Sequence, residues 1–200
     1  MKKQDTYHHD NLREKLIDAG LTIIEEEGTQ NLSLRRVANV CGASHGSPYR
    51  HFKNKEDFIL TLVIEVSKKF AEYIGDFQHH DHSPEDNILE MGVRFVQFSI
   101  EYPNYFELLF LSDYVISTRV NGEDQLVMDK QLSGFEIFKK HACEFMNYYG
   151  IDEKEDYILI ELWSFVLGLS IISRGGNLKG GEQDLVRQII SNTLNRFLKG

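Results

Sequence analysis

The sequence predicts an all-α protein of about nine helices, in which a small N-terminal head precedes a larger helical body. Apolar residues recur three and four positions apart along most of the chain, which is the period of a helix with one buried face. Only three prolines occur in 200 residues, and the turn signals are widely spaced, which favours helices over many short strands. A hydrophobic content of 42% is sufficient for a core.

The first two helices are predicted from their caps and their apolar faces. Asp10 or Asn11 begins the first helix, and Gly28 ends it. Ser33 caps the second helix, which runs from Leu34 to Val40. The apolar face of the first helix consists of Leu12, Leu16, Ala19 and Ile23.

A turn at Gly42 leads into a third, short helix. Gly42 stands where the turn needs a left-handed residue, and Ser44 is the expected cap. Pro48 either removes a backbone hydrogen bond inside this helix or takes the first position after Ser47, where it costs nothing. Two short helices joined in this way form a helix-turn-helix, whose second helix enters the DNA major groove. The positions spaced to face inward are Tyr49 and Phe52.

The remaining helices form the body. Asn54 caps a long fourth helix that links head and body, so the predicted domains are residues 1–54 and residues 55–200. Residues 112–122 are ambiguous between a loop and a short extended segment. One helix is apolar almost all round from Tyr157 to Ile172 and must therefore be buried on every side. The predicted body helices are 54–77, 84–102, 104–111, 126–149, 152–172 and 182–198.

The charged residues are unevenly distributed. The whole chain carries a formal net charge of −9, with 31 acidic residues. Residues 28–55 nevertheless contain five basic residues and no acid, although a segment of that length should hold about four acids at the average density. A basic island on an acidic protein is typical of a DNA-reading head on a body with another role. The five basic residues are Arg35, Arg36, Arg50, Lys53 and Lys55.

Composition disfavours several other classes of protein. The segment Met1–Asp10 has no apolar run, so it is not a signal peptide. The most apolar stretch, Tyr157–Ile172, has 16 residues and includes Glu161, whereas a membrane span needs roughly 20 apolar residues. Cys41 and Cys143 are too few and too far apart for a disulfide framework or a zinc site. We therefore expect a soluble cytoplasmic protein with no membrane partner, no metal and no other cofactor.

The first sixty or so residues resemble the TetR-type family of one-component bacterial transcription regulators. The order and spacing of the matching motifs agree with the family throughout, so the resemblance is more specific than a lone helix-turn-helix. It implies an all-helical C₂ homodimer, a palindromic operator in double-stranded DNA, and a ligand pocket in the body. The matching motifs are Glu25-Glu-Glu-Gly28, Leu32-Ser-Leu-Arg-Arg-Val-Ala38, Cys41-Gly-Ala-Ser44, Tyr49-Arg-His-Phe52 and Asn54-Lys-Glu-Asp-Phe58.

A narrower resemblance concerns one subgroup of that family, whose C-terminal part carries a Trp-His-Gly signature. Tyr7-His-His9 and Ser47-Pro-Tyr-Arg-His-Phe52 are similar to this subgroup, and Tyr102–Phe110 resembles its short helix. Trp163 and Gly168 match the signature, but Leu167 stands where histidine is expected. Any role of that histidine is therefore absent from this chain.

The candidate DNA-binding residues lie between the second helix and the start of the fourth. His45 and Ser47 can hydrogen-bond to base edges, Gly46 permits close approach, and Pro48 offers an apolar contact to a thymine methyl. The Tyr49 hydroxyl and flanking groups would hold the phosphate backbone. The alternative is that these are solvated or packing residues of a small helical head. The full set is Ser33, Arg36, Ser44, His45, Gly46, Ser47, Pro48, Tyr49, His51 and Lys55.

Two histidine-containing stretches each allow two interpretations. Tyr7–His9 forms either an arm along the DNA or a leader without that role. The stretch His79–His82 invites a metal interpretation, but it lacks the spacing of a helical site and has no cysteine nearby. A solvated loop is the preferred interpretation of that stretch.

The body supplies two further predictions. An aromatic set could line a cavity for an apolar or aromatic small-molecule effector, although the same spacing is typical of ordinary core. The wide apolar stripe of the last helix, with the apolar helix before it, predicts a four-helix dimer interface. The candidate pocket residues are Phe95, Phe98, Tyr102, Phe106, Phe110 and Trp163; the candidate interface residues are Leu159, Trp163, Val166, Leu185, Ile189, Ile190, Leu194 and Phe197.

These observations favour a ligand-responsive dimeric repressor that is not an enzyme. Two heads would read half-sites about 34–36 Å apart. An effector would favour a body shape in which the distance between the heads no longer fits these half-sites, and helix 54–77 would transmit the change from body to head. No Ser-His-Asp or Cys-His constellation and no phosphate loop stands out. One alternative is a DNA-binding protein with a non-transcriptional role. The other is a helical ligand carrier or enzyme whose head has lost DNA binding.

Overall fold

The computed structural model describes residues 4–76, 83–114, 119–120, 126–127, 133–151, 155–174 and 182–198. Among these residues there are eight α-helices, which confirms the predicted all-α class. The described residues also include two short antiparallel strands of two residues each, β1 (Arg119–Val120) and β2 (Leu126–Val127). The helices are α1 (Gln4–Glu27), α2 (Leu34–Val40), α3 (Lys55–Gly75), α4 (Pro84–Glu101), α5 (Pro103–Phe110), α6 (Ser133–Tyr149), α7 (Glu155–Arg174) and α8 (Glu182–Phe197).

The chain forms two compact units. The head unit contains Met1–Val66 and Asn104–Val115, and the body unit contains Ser67–Pro103 and Ile116–Gly200. The chain therefore leaves the head unit within α3, twelve residues beyond the domain boundary predicted at residues 54 and 55. Helix α5 belongs to the head unit, which the predicted division did not include.

In the head unit, α1 packs against α2, and it approaches α3 closely at Gly20. A Cβ at Gly20 would lie 2.6 Å from Cζ of Phe58, so only a residue without a side chain fits there. Helix α5 is held to α1 by polar contacts: the Tyr105 hydroxyl donates to the Leu21 carbonyl at 3.2 Å, and the Asn104 amide donates to the Glu25 carbonyl at 2.9 Å.

Helix starts follow the capping signals of the sequence. The Ser33 side chain accepts a hydrogen bond from the Arg36 backbone N–H, as predicted for the cap of α2. The Asn54 side chain accepts from the Asp57 N–H at 2.8 Å and caps α3. Ser83 and Asp86 form a reciprocal capping box at the start of α4, where Pro84 occupies the first turn. Each side chain satisfies a backbone donor that the helix leaves without a partner.

In the body unit, α4 is the central helix and packs against α6, α7 and α8. Its buried side chains include Ile88, Met91, Phe95 and Phe98. Gly92 lets α8 approach, because a Cβ there would lie only 3.3 Å from Cδ1 of Ile190. The core of the body is therefore built around one face of α4 and the apolar faces of the three helices that surround it.

Two predicted helix starts are wrong. Helix α1 begins at Gln4 rather than at Asp10 or Asn11, so Tyr7–His9 lies within this helix. Helix α6 begins at Ser133 rather than at residue 126, because Leu126 and Val127 pair with β1. The stretch His79–His82 and the predicted start of the helix at residue 152 lie outside the described residues.

Helix α7 is less buried than predicted. It has 20 residues, and Tyr157, Ile171 and Ile172 are 52%, 46% and 54% exposed. By length and composition it could cross a membrane, but this is weak evidence because core helices of soluble proteins pass the same test. Its other face, which includes Leu159, Leu162 and Val166, is buried in the body.

Candidate functional site

The predicted third α-helix is a short 3-10 helix, Pro48–Arg50, preceded by a turn. Ser47 has helical angles of φ −62° and ψ −42°, and Pro48 follows it at the first position, where its missing N–H costs nothing. Of the two placements that the sequence left open for Pro48, the structure has the second. The predicted Ser44 cap is absent, since the Ser44 hydroxyl instead lies 2.7 Å from the Ser47 hydroxyl.

The turn before this segment is fixed by its backbone. Gly42 has a φ of +64°, the left-handed conformation that the sequence predicted for it. The Ala43 N–H then donates to the Ala38 carbonyl at 2.8 Å and ties the turn to the end of α2. We call residues 44–51, which follow this turn, the recognition segment.

Most of the recognition segment is exposed. Ser44, His45, Gly46 and Tyr49 are exposed, with Tyr49 62% exposed, and Ser47 and His51 are half-buried. A Cβ placed on Gly46 would meet no atom within 4 Å. The segment thus offers several hydrogen-bonding groups and one bare stretch of backbone on the surface of the head.

Two residues of the segment differ from their predicted orientation. Tyr49 is exposed, whereas its spacing from Phe52 suggested that both face inward; Phe52 is 2% exposed. Pro48 is buried, whereas we expected it to offer an apolar surface to thymine. The 3-10 helix has only three residues and ends at Arg50, so the α-helical spacing that paired Tyr49 with Phe52 does not apply there.

Arg36 and Lys55 are half-buried, and Ser33 is exposed. The Arg36 guanidinium forms an ion pair with Glu27 and donates to the Asn31 carbonyl at 3.4 Å. The hydrogen bond with Glu27 raises the pKa of Arg36. A phosphate contact by Arg36 would therefore require it to leave Glu27, whereas the Ser33 hydroxyl already caps α2.

Sequence reasoning left several exposed polar residues out of the candidate set. Arg35, Arg50 and Lys53 are exposed and belong to the basic island, so the charge count already contained the signal for them. Asn39 is also exposed, and its Oδ1 lies 2.8 Å from Nε2 of His45. No sequence signal indicated this contact, because the two residues are six positions apart across a turn.

The predicted ligand-pocket residues do not line one cavity. Phe106 and Phe110 belong to the head unit, and the other four belong to the body unit. In the body unit the Trp163 ring packs edge-on against Phe95, Phe135 and Phe138, with ring centroids 5.2, 5.4 and 5.0 Å apart. Phe98 and Tyr102 are likewise in contact, with centroids 5.2 Å apart. In this structure these aromatic residues form a packed core.

The body contains a small apolar cavity between α4, α6, α7 and α8. Its volume is about 20 Å³, close to the space of a single water molecule. Of the predicted pocket residues only Phe95 lines it; the others around it are Ile88, Met91, Gly92, Phe138, Leu162, Phe165, Val166, Ile190, Thr193 and Leu194. Ligand pockets usually have volumes of about 300–1,000 Å³, so the cavity would have to widen to hold an effector.

A second concavity in the body is an open groove of about 920 Å³. Its lining mixes charges of both signs, since Lys69 and Arg94 face it together with Glu72 and Asp76. Arg94 donates to the Tyr73 carbonyl at 3.0 Å, and the Lys69 ammonium lies 4.1 Å from the Tyr102 ring centroid. The groove therefore presents no excess of one charge to a ligand.

The predicted dimer-interface residues divide into two groups within one chain. Leu159, Trp163, Val166, Ile190 and Leu194 are at most 7% exposed and pack inside the body unit. Leu185 is 41% exposed, and Ile189 and Phe197 are half-buried. Of the predicted interface residues, this second group leaves apolar surface for a second chain, and Ile171 and Ile172 of α7 are exposed as well. Among the described residues no group of three or more His, Cys, Asp or Glu side chains could hold a metal ion.

Known proteins share both the head and the overall fold. Residues 16–62 match the family of bacterial regulatory proteins, tetR family. The chain is 27% identical over 95 residues to the fatty acid metabolism regulator protein of Bacillus subtilis, covering 48% of this chain and 44% of that protein. It spans less than half the length of the curated relatives named first among its matches.

Two solved structures share the fold over nearly the whole chain. One is a protein with unknown function from Rhodococcus sp. RHA1, with a TM-score of 0.72, 18% identity, and coverage of 92% of this chain and 94% of that one. The other is the transcriptional regulator FadR from Bacillus subtilis in complex with stearoyl-CoA, with a TM-score of 0.67, 17% identity, and coverage of 91% and 97%. The similarity to the tetR family of bacterial regulatory proteins is thus carried by residues 16–62 of this chain.

Proposed function

We propose that this chain is a DNA-binding transcriptional repressor that acts in the cytoplasm as a dimer on a palindromic operator and is released by a small molecule. The observation that carries the proposal is the exposed recognition segment within the basic island of residues 28–55: His45 and Tyr49 are exposed, and so are Arg35, Arg50 and Lys53. Base edges are read by such short polar groups, and phosphates are held by the surrounding cations. The match of residues 16–62 to the tetR family supports the same function.

DNA binding is tested with duplex DNA from upstream of the protein's own gene. We expect nanomolar to micromolar binding that weakens steeply as salt rises, because each phosphate contact releases a counterion. The double variant Tyr49→Phe with Lys55→Ala should lose at least tenfold in affinity. Lys140→Ala, which removes an exposed body lysine paired with Glu144, is the matched control and should bind normally. Salt-independent binding, or a double variant that binds like the parent, would refute the proposal.

The dimer is proposed to form through the exposed apolar surface of α7 and α8, where Leu185, Ile171 and Ile172 lie. Isologous pairing of this surface would bury those side chains and set the distance between two heads. Sedimentation equilibrium at micromolar concentration should give twice the 23.2 kDa mass of one chain. Leu185→Glu should shift the mass towards one chain, while the helical content stays the same. A single-chain mass for the parent protein would contradict a dimer.

The effector is proposed to be an apolar molecule, with long-chain acyl compounds as the first to test. The FadR structure that shares this fold is described as a stearoyl-CoA complex, and the small cavity of this body is lined by apolar side chains apart from Thr193. An acyl chain would enter only if α7 and α8 moved away from α4, and that change of body shape is what binding would couple to the heads. Stearoyl-CoA should release the protein from DNA in a gel-shift titration. Coenzyme A alone is the control and should release nothing.

A further inference from the structure

Asn39 and His45 form a polar contact on the surface of the head. Asn39 lies in the last turn of α2, and His45 lies in the recognition segment beyond the Gly42 turn. Oδ1 of Asn39 and Nε2 of His45 are 2.8 Å apart, and both residues are exposed. The turn between them is held by the hydrogen bond from the Ala43 N–H to the Ala38 carbonyl, so the two side chains approach each other on a fixed backbone.

The chemistry of this contact fixes the proton of a neutral histidine ring. An amide carbonyl oxygen only accepts hydrogen bonds, so Nε2 of His45 must carry the hydrogen. The neutral ring then has a bare nitrogen at Nδ1, which accepts but does not donate. In the major groove the hydrogen-bond donors are the amino groups of cytosine and adenine, whereas guanine and thymine present acceptors.

We infer that Asn39 is a positioning residue for base readout: it holds His45 with the proton on Nε2, so that Nδ1 accepts a hydrogen bond from an amino group of cytosine or adenine. This inference rests on the proposed DNA-binding function and adds to it the class of base that the segment reads. It also supplies orientation, because a held ring loses less conformational freedom on binding than an untethered one.

The contact itself is tested without DNA, by NMR of the full-length protein with ¹⁵N-labelled histidine. At about pH 8, where an ordinary imidazole is neutral, the parent protein should show a hydrogen-bonded proton on Nε2 of His45. Asn39→Ala should lose that proton signal through solvent exchange, and Asn39→Asp, which keeps an acceptor, should retain it. A parent protein with the proton on Nδ1, or a signal that Asn39→Ala leaves intact, overturns the inference whether or not the protein binds DNA.

The readout is tested by selecting bound duplexes from a random-sequence pool. The parent should select an amino base, A or C, over G or T at one position on one strand of each half-site. Asn39→Ala should weaken that preference about fivefold, as expected for one hydrogen bond, and leave the other positions unchanged. In the His45→Ala background, Asn39→Ala should have no further effect.

The remaining outcomes separate this inference from the function on which it rests. If Asn39→Ala still weakens binding in the His45→Ala background, Asn39 contacts DNA itself, and the positioning role is wrong while the regulator stands. If His45→Ala leaves the base preference at every position of the half-site unchanged, the consequence is the same. If no duplex is selected at all, the proposed function is wrong, and the inference that rests on it is wrong as well. Equal melting temperatures of parent and Asn39→Ala exclude unfolding as the cause of any loss.

Discussion

The head and the body of this protein present their chemistry in opposite ways. In the head, the candidate residues stand on the surface: Tyr49 is 62% exposed, and nothing lies within 4 Å of a Cβ built on Gly46. In the body, Phe95 and Phe98 are at most 2% exposed and Trp163 is 7% exposed. The head can therefore meet a ligand in the shape that it already has, whereas the aromatic core of the body must open before it can hold one.

This difference has an energetic meaning. Binding to a preformed surface costs mainly the ordering of a few side chains. Opening a packed core first separates aromatic rings that are in contact, such as Trp163 and Phe138 with centroids 5.0 Å apart. An effector must restore that lost packing with its own apolar surface, so small or polar molecules are disfavoured. A body whose core must open to admit an effector is suited to a switch, because occupancy and shape change together.

The largest expected effect is that of opening the body core by mutation. Trp163→Ala removes a ring that contacts Phe95, Phe135 and Phe138, and we expect the free energy of unfolding to fall by about 3–5 kcal/mol. Denaturant titration followed by circular dichroism measures this fall. Tyr148→Ala, at a position 65% exposed, is the control and should cost less than about 1 kcal/mol. Similar losses in both variants would show that the body is not packed around Trp163.

Substitutions of two glycines of the head should have a smaller effect on stability, and comparing them distinguishes a role in folding from a role in DNA binding. Gly42 has a φ of +64°, so Gly42→Ala should lower the free energy of unfolding by about 1–2 kcal/mol. Gly46 has no such backbone requirement and open space around it, so Gly46→Ala should change stability by less than about 0.5 kcal/mol. If the segment faces DNA closely, Gly46→Ala should still weaken DNA binding several-fold. Unchanged DNA affinity in a normally folded Gly46→Ala variant would mean that the bare backbone does not approach the duplex.

The smallest expected effect is a pH dependence from His141, which is 2% exposed. Burial lowers the pKa of His141, although the Glu144 carboxylate, 3.2 Å from Nδ1, opposes the shift. Because the folded-state pKa lies below that of the unfolded chain, this residue's contribution to stability is complete above about pH 6.5 and is lost as the pH falls through the folded pKa.

The measurement is the free energy of unfolding between about pH 7.5 and pH 5. One histidine contributes a slope of at most about 1.4 kcal/mol per pH unit. His141→Gln should flatten the curve. An unchanged curve for His141→Gln would show that water reaches this part of the body.

Local signals in the sequence predicted a large part of the fold. Helix α2 begins and ends as expected because Ser33 and the turn at Gly42 act through their own backbone neighbourhood. The start of α4 follows from the Ser83-Pro84 cap for the same reason. The start of the recognition segment was predicted wrongly because either Ser44 or Ser47 could stand at the N-terminus of the short helix, and the sequence pattern fits both.

The candidate sites were less predictable because they depend on tertiary contacts. Helical spacing places Phe95 and Trp163 on apolar faces, but the same spacing serves a cavity or a filled core, and here Phe135 and Phe138 fill it. Similarly, the apolar residues Ile190 and Leu194 of α8 face α4 of the same chain, since Gly92 lets α8 come close. The contact of Asn39 with His45 depends on the exact course of a turn, which composition does not specify.

The open space over Gly46 has a consequence for how this protein can diverge from its relatives. Because no neighbouring atom requires glycine at this position, substitutions there should be tolerated by the fold even where they alter which duplex is bound. New operator preferences could then arise by single substitutions in a stable protein, without compensating changes in the core. Duplicated copies of such a gene would be free to drift apart in their targets while retaining one architecture.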